Sequence, residues 1–471
     1  MTDPTFGAET AYRAADHLRK TSLAGTWDVF GEKAERFEIH LNGTKREMVR
    51  GPVRIEGIGL RVLRPVDGQL GIGFAATSDR SAESLSRAVQ DAEAAARYSR
   101  FPAAHVELPA AAPNAGPVDS VDRGAWAKPL ESLNAYVHEL VSAFEGRHGV
   151  VPSFGSVHLT LGESTLANSA GLEHRASRTL VDVEVAVKAF GGPEGRPPGE
   201  YWVVGHSVRL DPSNVRSDVE TWCQRAKDVR VAKSPTAGEQ TVVIPPRALA
   251  DVLPDILSFR LSGAAQLRGM APKPGETIGA EPISIWDDGT LPFALGTATA
   301  DDEGHAQSRR RLVHAGRAEA TLYDVLHGGA SQVPSTGNGR RDILSYPDWE
   351  RFSHAPGPMA TTLVVGTGDV ATDAELAEVA GEGIWLDQLG YAFPDALSGA
   401  YGGEIRIGYR IHRGKITEPL RGGTIGGLVV AGTGERSLLN SVVAMGSRAE
   451  LMPHLSCPTL VVEKMGVGGA D

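Results

Sequence analysis

The sequence predicts an α+β protein, with an N-terminal antiparallel sheet covered by helices on one face and a C-terminal, mostly β domain of barrel or sandwich type. In the first half, short apolar segments alternate with turns, and helical patterns follow them. From Glu239 onward the chain is rich in glycine, with short strand patterns and few long helices. We therefore predict domains at residues 1–235 and 236–471.

The first domain opens with a predicted antiparallel meander. Asn42-Gly43 lies between two apolar runs, and both residues tolerate the positive φ of a tight hairpin turn. Runs at 58–63 and 70–74 continue the meander. A helix is predicted to start near Ser81, and three-and-four spacing gives it one apolar face. That face consists of Leu85, Ala88, Val89, Ala92 and Ala96.

Residues 101–128 are rich in alanine and proline and are interpreted as a linker that divides the first domain into two subparts. A helix over 130–144 and a strand over 156–161 follow. Residues 181–189 alternate between apolar and mostly charged side chains, the period of a half-buried strand. Residues 217–220 read Ser-Asp-Val-Glu, which predicts a capping box at the start of another helix.

In the second domain, strands are predicted at 241–244, 401–411 and 459–463, with a turn at Arg413-Gly414 leading into a short strand. One helix is predicted over 247–261, kinked at Pro254 because proline removes a helical hydrogen bond.

Composition excludes several classes of function. The net charge of −11, from 58 acidic and 47 basic residues, gives no basic footprint for nucleic acid. The two cysteines, Cys223 and Cys457, form neither a disulfide framework nor a Cys-x-x-Cys motif, and we expect packed thiols. Neither a secretory signal nor a membrane span is recognisable, so a cytoplasmic location is expected.

Three polar loops follow one another in the second domain. They begin with Asp287-Asp288-Gly289, Asp301-Asp302-Glu303 and Ser335-Thr336-Gly337, the last continuing through Asn338 to Arg341. In this order and spacing, the loops resemble the C-terminal domain of the TldD/PmbA family, related subunits of a bacterial zinc peptidase. The resemblance extends over most of the chain, through segments at 57–62, 71–74, 77–81, 167–171, 354–357 and 465–469.

One feature of the family is missing from the sequence. The catalytic subunit carries His-Glu-x-x-x-His just upstream of the Asp-Asp-Gly turn, but residues 247–260 contain neither histidine nor glutamate. Asp251 and Asp255 would share a helical face, yet two carboxylates suit harder cations and are more typical of a solvated edge. The literal pair His138-Glu139 lies on the flank and polar side of its predicted helix. We therefore expect no peptidase zinc in this chain.

The resemblance is to the PmbA or TldE side of the family. It implies a catalytically incomplete, non-metal-binding subunit of a heterodimeric metallopeptidase that acts on unfolded or short peptides, in settings that include maturation of peptide natural products. The implied partner is a TldD-like homologue that holds the zinc. The candidates for facing the substrate channel are Asp301, Asp302, Glu303, Ser335, Thr336 and Asn338. The competing interpretation is that each satisfies local backbone donors in a turn.

Two further hypotheses stay open at this point. The chain would act alone as a homodimeric modulator that binds peptides without cutting them, or as an active homodimer with an unrecognised metal site. Because the catalytic subunit has a cysteine near its C-terminus, Cys457 is a conceivable ligand, but without a histidine pair a packed thiol is favoured.

Overall fold

The computed structural model describes residues 6–20, 25–103, 105–114, 116–191, 197–341, 350–431 and 435–469. Two large sheets organise these residues, one in each half of the chain. The predicted α+β class is confirmed: the first sheet is antiparallel with helices on one face, and the second closes into a β-barrel.

The N-terminal sheet contains six antiparallel strands in the order β3-β2-β1-β4-β5-β6. The strands are β1 (Thr26–Asn42), β2 (Lys45–Val66), β3 (Gln69–Thr77), β4 (Val150–Asn168), β5 (Glu173–Ala189) and β6 (Gly199–Ser207). The predicted hairpin after Asn42 is present, and Gly43 has a φ of +61° at its turn. Asp67 and Gly68, both with positive φ, form the next turn and extend the meander.

Helices cover one face of this sheet. They are α1 (Phe6–Lys20), α2 (Ala82–Tyr98), α3 (Arg123–Ala127), α4 (Pro129–Ser142) and α5 (Val215–Val231). Alternate side chains of β1, such as Trp27, Val29 and Ile39, are buried against α1, α2, α4 and α5. Because side chains alternate across a strand, Asp28, Phe30 and Glu32 point to the opposite face, toward the C-terminal domain.

The helix starts test two local predictions. The helix beginning near Ser81 is confirmed, and the Ser81 hydroxyl accepts a hydrogen bond from the Ser84 N–H. The capping box at 217–220 is wrong. The N-cap of α5 is Asn214, three residues before Ser217, and the Ser217 hydroxyl donates to the Asn214 carbonyl.

The C-terminal domain consists mainly of short strands, as predicted. They are β7 (Gly238–Ile244), β8 (Ile285–Asp288), β9 (Arg309–His314), β10 (Arg317–Ala318), β11 (Gly339–Arg340), β12 (Gly357–Pro358), β13 (Leu363–Val365), β14 (Gly383–Gly390), β15 (Ala400–His412), β16 (Lys415–Leu420), β17 (Thr424–Leu428), β18 (Val442–Met452) and β19 (Leu455–Gly468). The helices are α6 (Pro246–Ala250), α7 (Leu253–Arg260), α8 (Gly263–Leu267), α9 (Val325–Ser331) and α10 (Asp373–Ala380), with 3₁₀ turns at Arg351–Ser353 and Leu439–Ser441.

Five of these strands close the barrel. β7 pairs with β14, β14 with β15, β15 with β17, β17 with β19, and β19 returns to β7. Closure leaves these strands without an open edge between them, so their backbone groups are paired all the way round. β13, β8, β9 and β10 extend the sheet outward from β19.

The predicted single helix over 247–261 is wrong, because the chain forms two helices there. α6 ends at Ala250, and α7 begins at Leu253. Pro254 lies in the first turn of α7, where its missing N–H would have no helical partner in any case. The proline therefore starts a new helix and does not kink a continuous one.

Residues 101–122 contain neither a helix nor a strand in the described part of the chain, apart from an isolated bridge between Phe101 and Leu70. Ala103, Val106 and Leu108 are nevertheless buried against side chains of both halves, including Leu63 and Val325. The segment thus packs between the two domains.

No helix among the described residues is both long and apolar enough to cross a membrane.

Candidate functional site

The polar loops meet at the contact between the two domains. Asp287 is the next-to-last residue of β8 and is 2% exposed. The carboxylate of Asp287 accepts hydrogen bonds from the N–H groups of Thr361 (2.6 Å) and Thr362 (3.0 Å) and from the Asn338 side-chain amide (2.6 Å). Burial raises the pKa of Asp287 to about 6 despite these donors. The first and third loops are therefore held together by one buried carboxylate.

Asp301 and Glu303 hold the second loop in place. The Asp301 carboxylate accepts hydrogen bonds from the N–H groups of Glu303 (3.0 Å), His305 (2.8 Å) and Gly339 (2.8 Å), so it folds its own turn and binds the third loop. Glu303 accepts a hydrogen bond from the Val325 N–H at 2.7 Å. Burial, with Glu303 close by, raises the pKa of Asp301.

Arg61 joins the second loop to the N-terminal sheet. Its guanidinium is fully buried, with Nε 2.7 Å from Asp28 Oδ2 and Nη1 2.7 Å from Glu303 Oε1. Burial acts to lower the pKa of Arg61, but the two facing carboxylates more than offset it, and the pKa is raised. Burial raises the pKa of Glu303 to about 7, and Arg61 opposes that rise. Arg61 therefore keeps its proton, and its positive charge opposes protonation of Glu303.

Two further arginines complete the contact. Arg341 donates from Nη2 to Asp28 Oδ1 at 2.9 Å, and its backbone N–H donates to Asp302 Oδ2 at 2.8 Å. Arg351 forms an ion pair with Asp302, and its backbone N–H donates to Glu32 at 2.9 Å. Both guanidinium groups lie about 5 Å from the centre of the Phe30 ring, within the range of a cation–π contact.

A cavity of about 240 Å³ lies beside this contact. Asp301 and Asp302 border it from the C-terminal domain, and His174 and Arg178 border it from β5. Burial lowers the pKa of His174, which favours the neutral imidazole.

The six predicted channel residues have different environments. Asp301, Asp302, Glu303 and Asn338 are all buried. Ser335 and Thr336 are half-buried: the Thr336 hydroxyl accepts from the Tyr323 N–H at 2.7 Å and donates to Asn338 at 2.7 Å, and the Ser335 hydroxyl accepts from the Gly337 N–H at 3.2 Å. Only Asp301 and Asp302 border the cavity. Their contact with a substrate stays a prediction, and the hydrogen bonds they make are those of loops that are locked together.

A second and larger depression, of about 400 Å³, is also lined by residues of both domains and is here called the groove. Five segments form its walls: β6, the α6–α7 region, the end of β14 with the following turn, β15, and the turn between β18 and β19. The lining is mixed. Apolar side chains include Trp202, Val204 and Leu389, while Arg247 and Arg406 are cationic. This volume and mixture are typical of a ligand site, for which about 300–1,000 Å³ is usual.

β6 is an edge strand beside this groove. It pairs with β5 and, within the described residues, with no strand on its other side. Trp202 and Val204 alternate with the buried Tyr201 and Val203, so the exposed face of β6 turns into the groove. An edge strand offers backbone N–H and C=O groups to an extended chain.

The residues present do not fit a peptidase zinc. Asp251 and Asp255 both line the groove, but the first follows α6 and the second lies in α7, so they do not share one helix. Cys457 is fully buried in the barrel core, and burial raises the pKa of its thiol. The ring of His454 faces the Thr361 carbonyl at 3.2 Å. Over the described ranges, no three His, Cys, Asp or Glu side chains lie close enough together to hold a metal ion.

Sequence reasoning missed the partners of the polar loops. Asp28, Glu32 and Arg61 lie in strands more than 200 residues before the loops they bind. A charged residue within the apolar run Leu60-Arg61-Val62 was the available signal, because such a residue is buried only with a partner. Trp202, Gln388 and Arg406 of the groove carried no comparable signal.

Comparison with known proteins supports this description. A model described as PmbA/TldA metallopeptidase C-terminal domain matches residues 237–469, and PmbA/TldA metallopeptidase domain 1 matches residues 27–96. A TldD metalloprotease homologue from Haemophilus influenzae is 29% identical over 209 residues, which are 42% of this chain and 41% of that protein. An uncharacterized protein from Methanocaldococcus jannaschii is 25% identical over 405 residues, 83% of this chain and 86% of that protein. The match to the metalloprotease thus spans about two fifths of its length.

Solved structures share the whole fold. TldE from Thermococcus kodakarensis superposes with a TM-score of 0.78 at 18% identity, covering 98% of this chain and 100% of that one. A protein from Bacteroides thetaiotaomicron, described as a candidate modulator of DNA gyrase, superposes with a TM-score of 0.78 at 18% identity. The superposition covers 98% of this chain and 99% of that one. At these identities the likeness establishes the fold alone. The two domain models and the metalloprotease relatives show that the chain belongs to the TldD/PmbA family.

Proposed function

We propose that the chain is a TldE-like subunit that binds unfolded or short peptides and leaves peptide-bond hydrolysis to a zinc-bearing, TldD-like partner. One observation carries the proposal. The segment that holds His-Glu-x-x-x-His in the catalytic subunit forms two short helices here, without histidine or glutamate, and it lines an open groove. A groove lined by this segment, without a histidine pair, supports peptide binding and argues against zinc binding by the segment.

The chain's own contribution to the reaction would be to bind and orient substrate. The edge of β6 offers backbone hydrogen bonds to an extended peptide, and Trp202 and Val204 offer apolar contact to its side chains. Backbone pairing recognises extended chain more than sequence, which agrees with an unfolded substrate. Zinc in the partner would polarise the scissile carbonyl and supply the water.

The test is a reconstitution with a TldD-type homologue encoded by the same organism. The chain alone, the homologue alone and an equimolar mixture would be incubated with a quencher-labelled decapeptide that has no stable structure. We expect hydrolysis by the mixture, elution of the two chains as one complex in gel filtration, and no hydrolysis by the chain alone. Hydrolysis by the chain alone that a chelator abolishes would contradict the proposal.

The same experiment separates the competing function of a peptide-binding modulator that acts without a partner. The groove would serve that function equally well, because it needs no zinc. Full activity of the homologue alone, unchanged on adding this chain, would favour the modulator and exclude a shared peptidase.

A further inference from the structure

The barrel rim beside the groove contains an irregular strand pair. β14 and β15 lose their regular register on both sides of Gln388: Leu386 lies opposite Gly408, Gln388 opposite Ile407, and Leu389 opposite Ile405. Arg406 therefore has no directly opposed residue and lies next to Gln388 on the neighbouring strand. Bulges of this kind redirect side chains, and here both side chains line the groove. We call this pair the Gln388–Arg406 lip.

The guanidinium of Arg406 lines the groove and stacks on the ring of Trp202. The group lies 5.3 Å from the centre of the Trp202 ring. Trp202 is itself held by a hydrogen bond from Nε1 to Glu184 Oε1 at 3.0 Å and by an edge contact with Phe154. No carboxylate in the described part of the protein lies within ion-pair distance of Arg406. A stacked guanidinium keeps its in-plane N–H donors available for a planar anion.

Gln388 fixes the other side of the lip. Its Nε2 donates to the Trp202 carbonyl at 2.7 Å, which ties β14 to β6 beside Arg406. Its Oε1 is enclosed by protein, so a ligand in the groove does not reach that oxygen and meets the cationic side of the lip.

We propose that the Gln388–Arg406 lip binds the C-terminal residue of a peptide. A C-terminal residue carries a planar carboxylate, which matches the cationic fork of Arg406. Its side chain would lie against the apolar wall made by Val204 and Leu389, so an apolar residue is expected at this position. The inference rests on the proposed peptide-binding function and gives it a direction: the peptide enters the groove with its carboxyl end at the barrel rim.

The test uses three acetylated tripeptides: Ala-Ala-Leu with a free carboxylate, the same peptide as its C-terminal amide, and Ala-Ala-Glu amide, which carries its charge on a side chain. Binding to the full chain would be measured by calorimetry. We expect the free carboxylate to bind about tenfold more tightly than either amide, as for loss of one charge-assisted contact. Arg406→Gln should abolish this preference while keeping the affinity for the amide.

The matched control is Arg410→Gln. Arg410 lies on the same strand, pairs with Glu418 at 2.9 Å and is outside the groove, so the variant should bind all three peptides like the wild type. Thermal unfolding of both variants checks that they are folded. Equal affinity for Ala-Ala-Leu and its amide would overturn the proposed role of the lip while leaving peptide binding intact. Equal affinity for Ala-Ala-Leu and Ala-Ala-Glu amide would also overturn it, because the lip would then bind any carboxylate. Failure of all three peptides to bind would overturn both the lip and the function on which it rests.

Discussion

Arg61 is the residue on which the contact between the two domains is centred. Its guanidinium neutralises Asp28 of β1 and Glu303 of the second polar loop, and no side of it reaches solvent. Desolvation makes such a cluster a modest net contributor to stability, yet removing one partner leaves buried charge without compensation.

Arg61→Met should therefore lower the free energy of unfolding by about 3–5 kcal/mol, because two buried carboxylates lose their cation. Urea unfolding followed by circular dichroism measures this. Arg54→Met is the control: Arg54 is on the same strand, but its pair with Glu35 is exposed, and a loss below about 1 kcal/mol is expected. Similar losses for the two variants would show that the buried network does not hold the domains together.

Asp287 predicts a defined dependence of stability on pH. Its pKa of about 6 in the folded protein lies above the value of about 3.9 in an unfolded chain, so the folded state binds the proton more tightly. The resulting contribution to the free energy of unfolding is at most about 3 kcal/mol. It is fully present below about pH 4 and is lost as the pH rises to about 6.

Asp287→Asn removes this proton equilibrium. Any constant effect of the substitution cancels when each protein is referred to its own stability at pH 4. Between pH 4 and 6, the free energy of unfolding of the variant should rise relative to wild type by up to about 3 kcal/mol. Parallel curves for the two proteins over that interval would show that the Asp287 carboxyl does not titrate there.

At the scale of elements, α5 packs on the N-terminal sheet and also contacts strands β14 and β15 of the barrel. The Tyr409 hydroxyl of β15 accepts from Arg225 Nη1 at 2.7 Å and donates to Asp228 at 2.7 Å, both on α5. Arg225 also pairs with Asp387 of β14 at 2.7 Å. The helix thus has polar as well as apolar contacts to the barrel wall.

Tyr409→Phe should lower the free energy of unfolding by about 1–2 kcal/mol, because Arg225 and Asp228 on α5 each lose a hydrogen bond. Tyr401→Phe is a matched control on the same strand: Tyr401 is buried, and among the described residues its hydroxyl forms no hydrogen bond. Denaturant unfolding of both variants measures the difference. Equal costs would mean that the hydroxyl of Tyr409 contributes nothing to the docking of α5.

Regular elements were predictable where one local pattern decided them. The alternation at 181–189 and the Asn42-Gly43 turn depend on neighbouring residues, and the structure contains both the strand and the hairpin. The helix start at 217 and the single helix at 247–261 failed because competing local signals, Asn214 and Pro254, shifted the boundaries. The bulge at Gln388 depends on strand pairing, which periodicity within one strand does not contain.

The candidate site was predictable only in part for a related reason. The polar loops were identified from their order in the sequence, and Asp301 with Asp302 does border a cavity. Their binding partners lie in distant strands, and burial of Glu303 and Asn338 follows from the approach of the N-terminal sheet. The groove is formed by five segments from different parts of the sequence, so no single motif marks it.

At the scale of the whole molecule, the chain has the fold of its family and lacks a set of side chains fit for zinc in the described residues. The proposed division of labour follows from this combination: this chain binds and orients a peptide, and a partner supplies the metal. Both halves are needed for the groove, because β6 belongs to the N-terminal sheet and the other walls belong to the C-terminal domain.

The most direct test is the zinc content of the chain purified alone, measured by elemental analysis after dialysis against metal-free buffer. We expect less than about one tenth of a zinc ion per chain, because Asp251, Asp255, His454 and Cys457 do not form a ligand set. About one zinc ion per chain would contradict the proposed function and would show that this protein is itself a metalloenzyme.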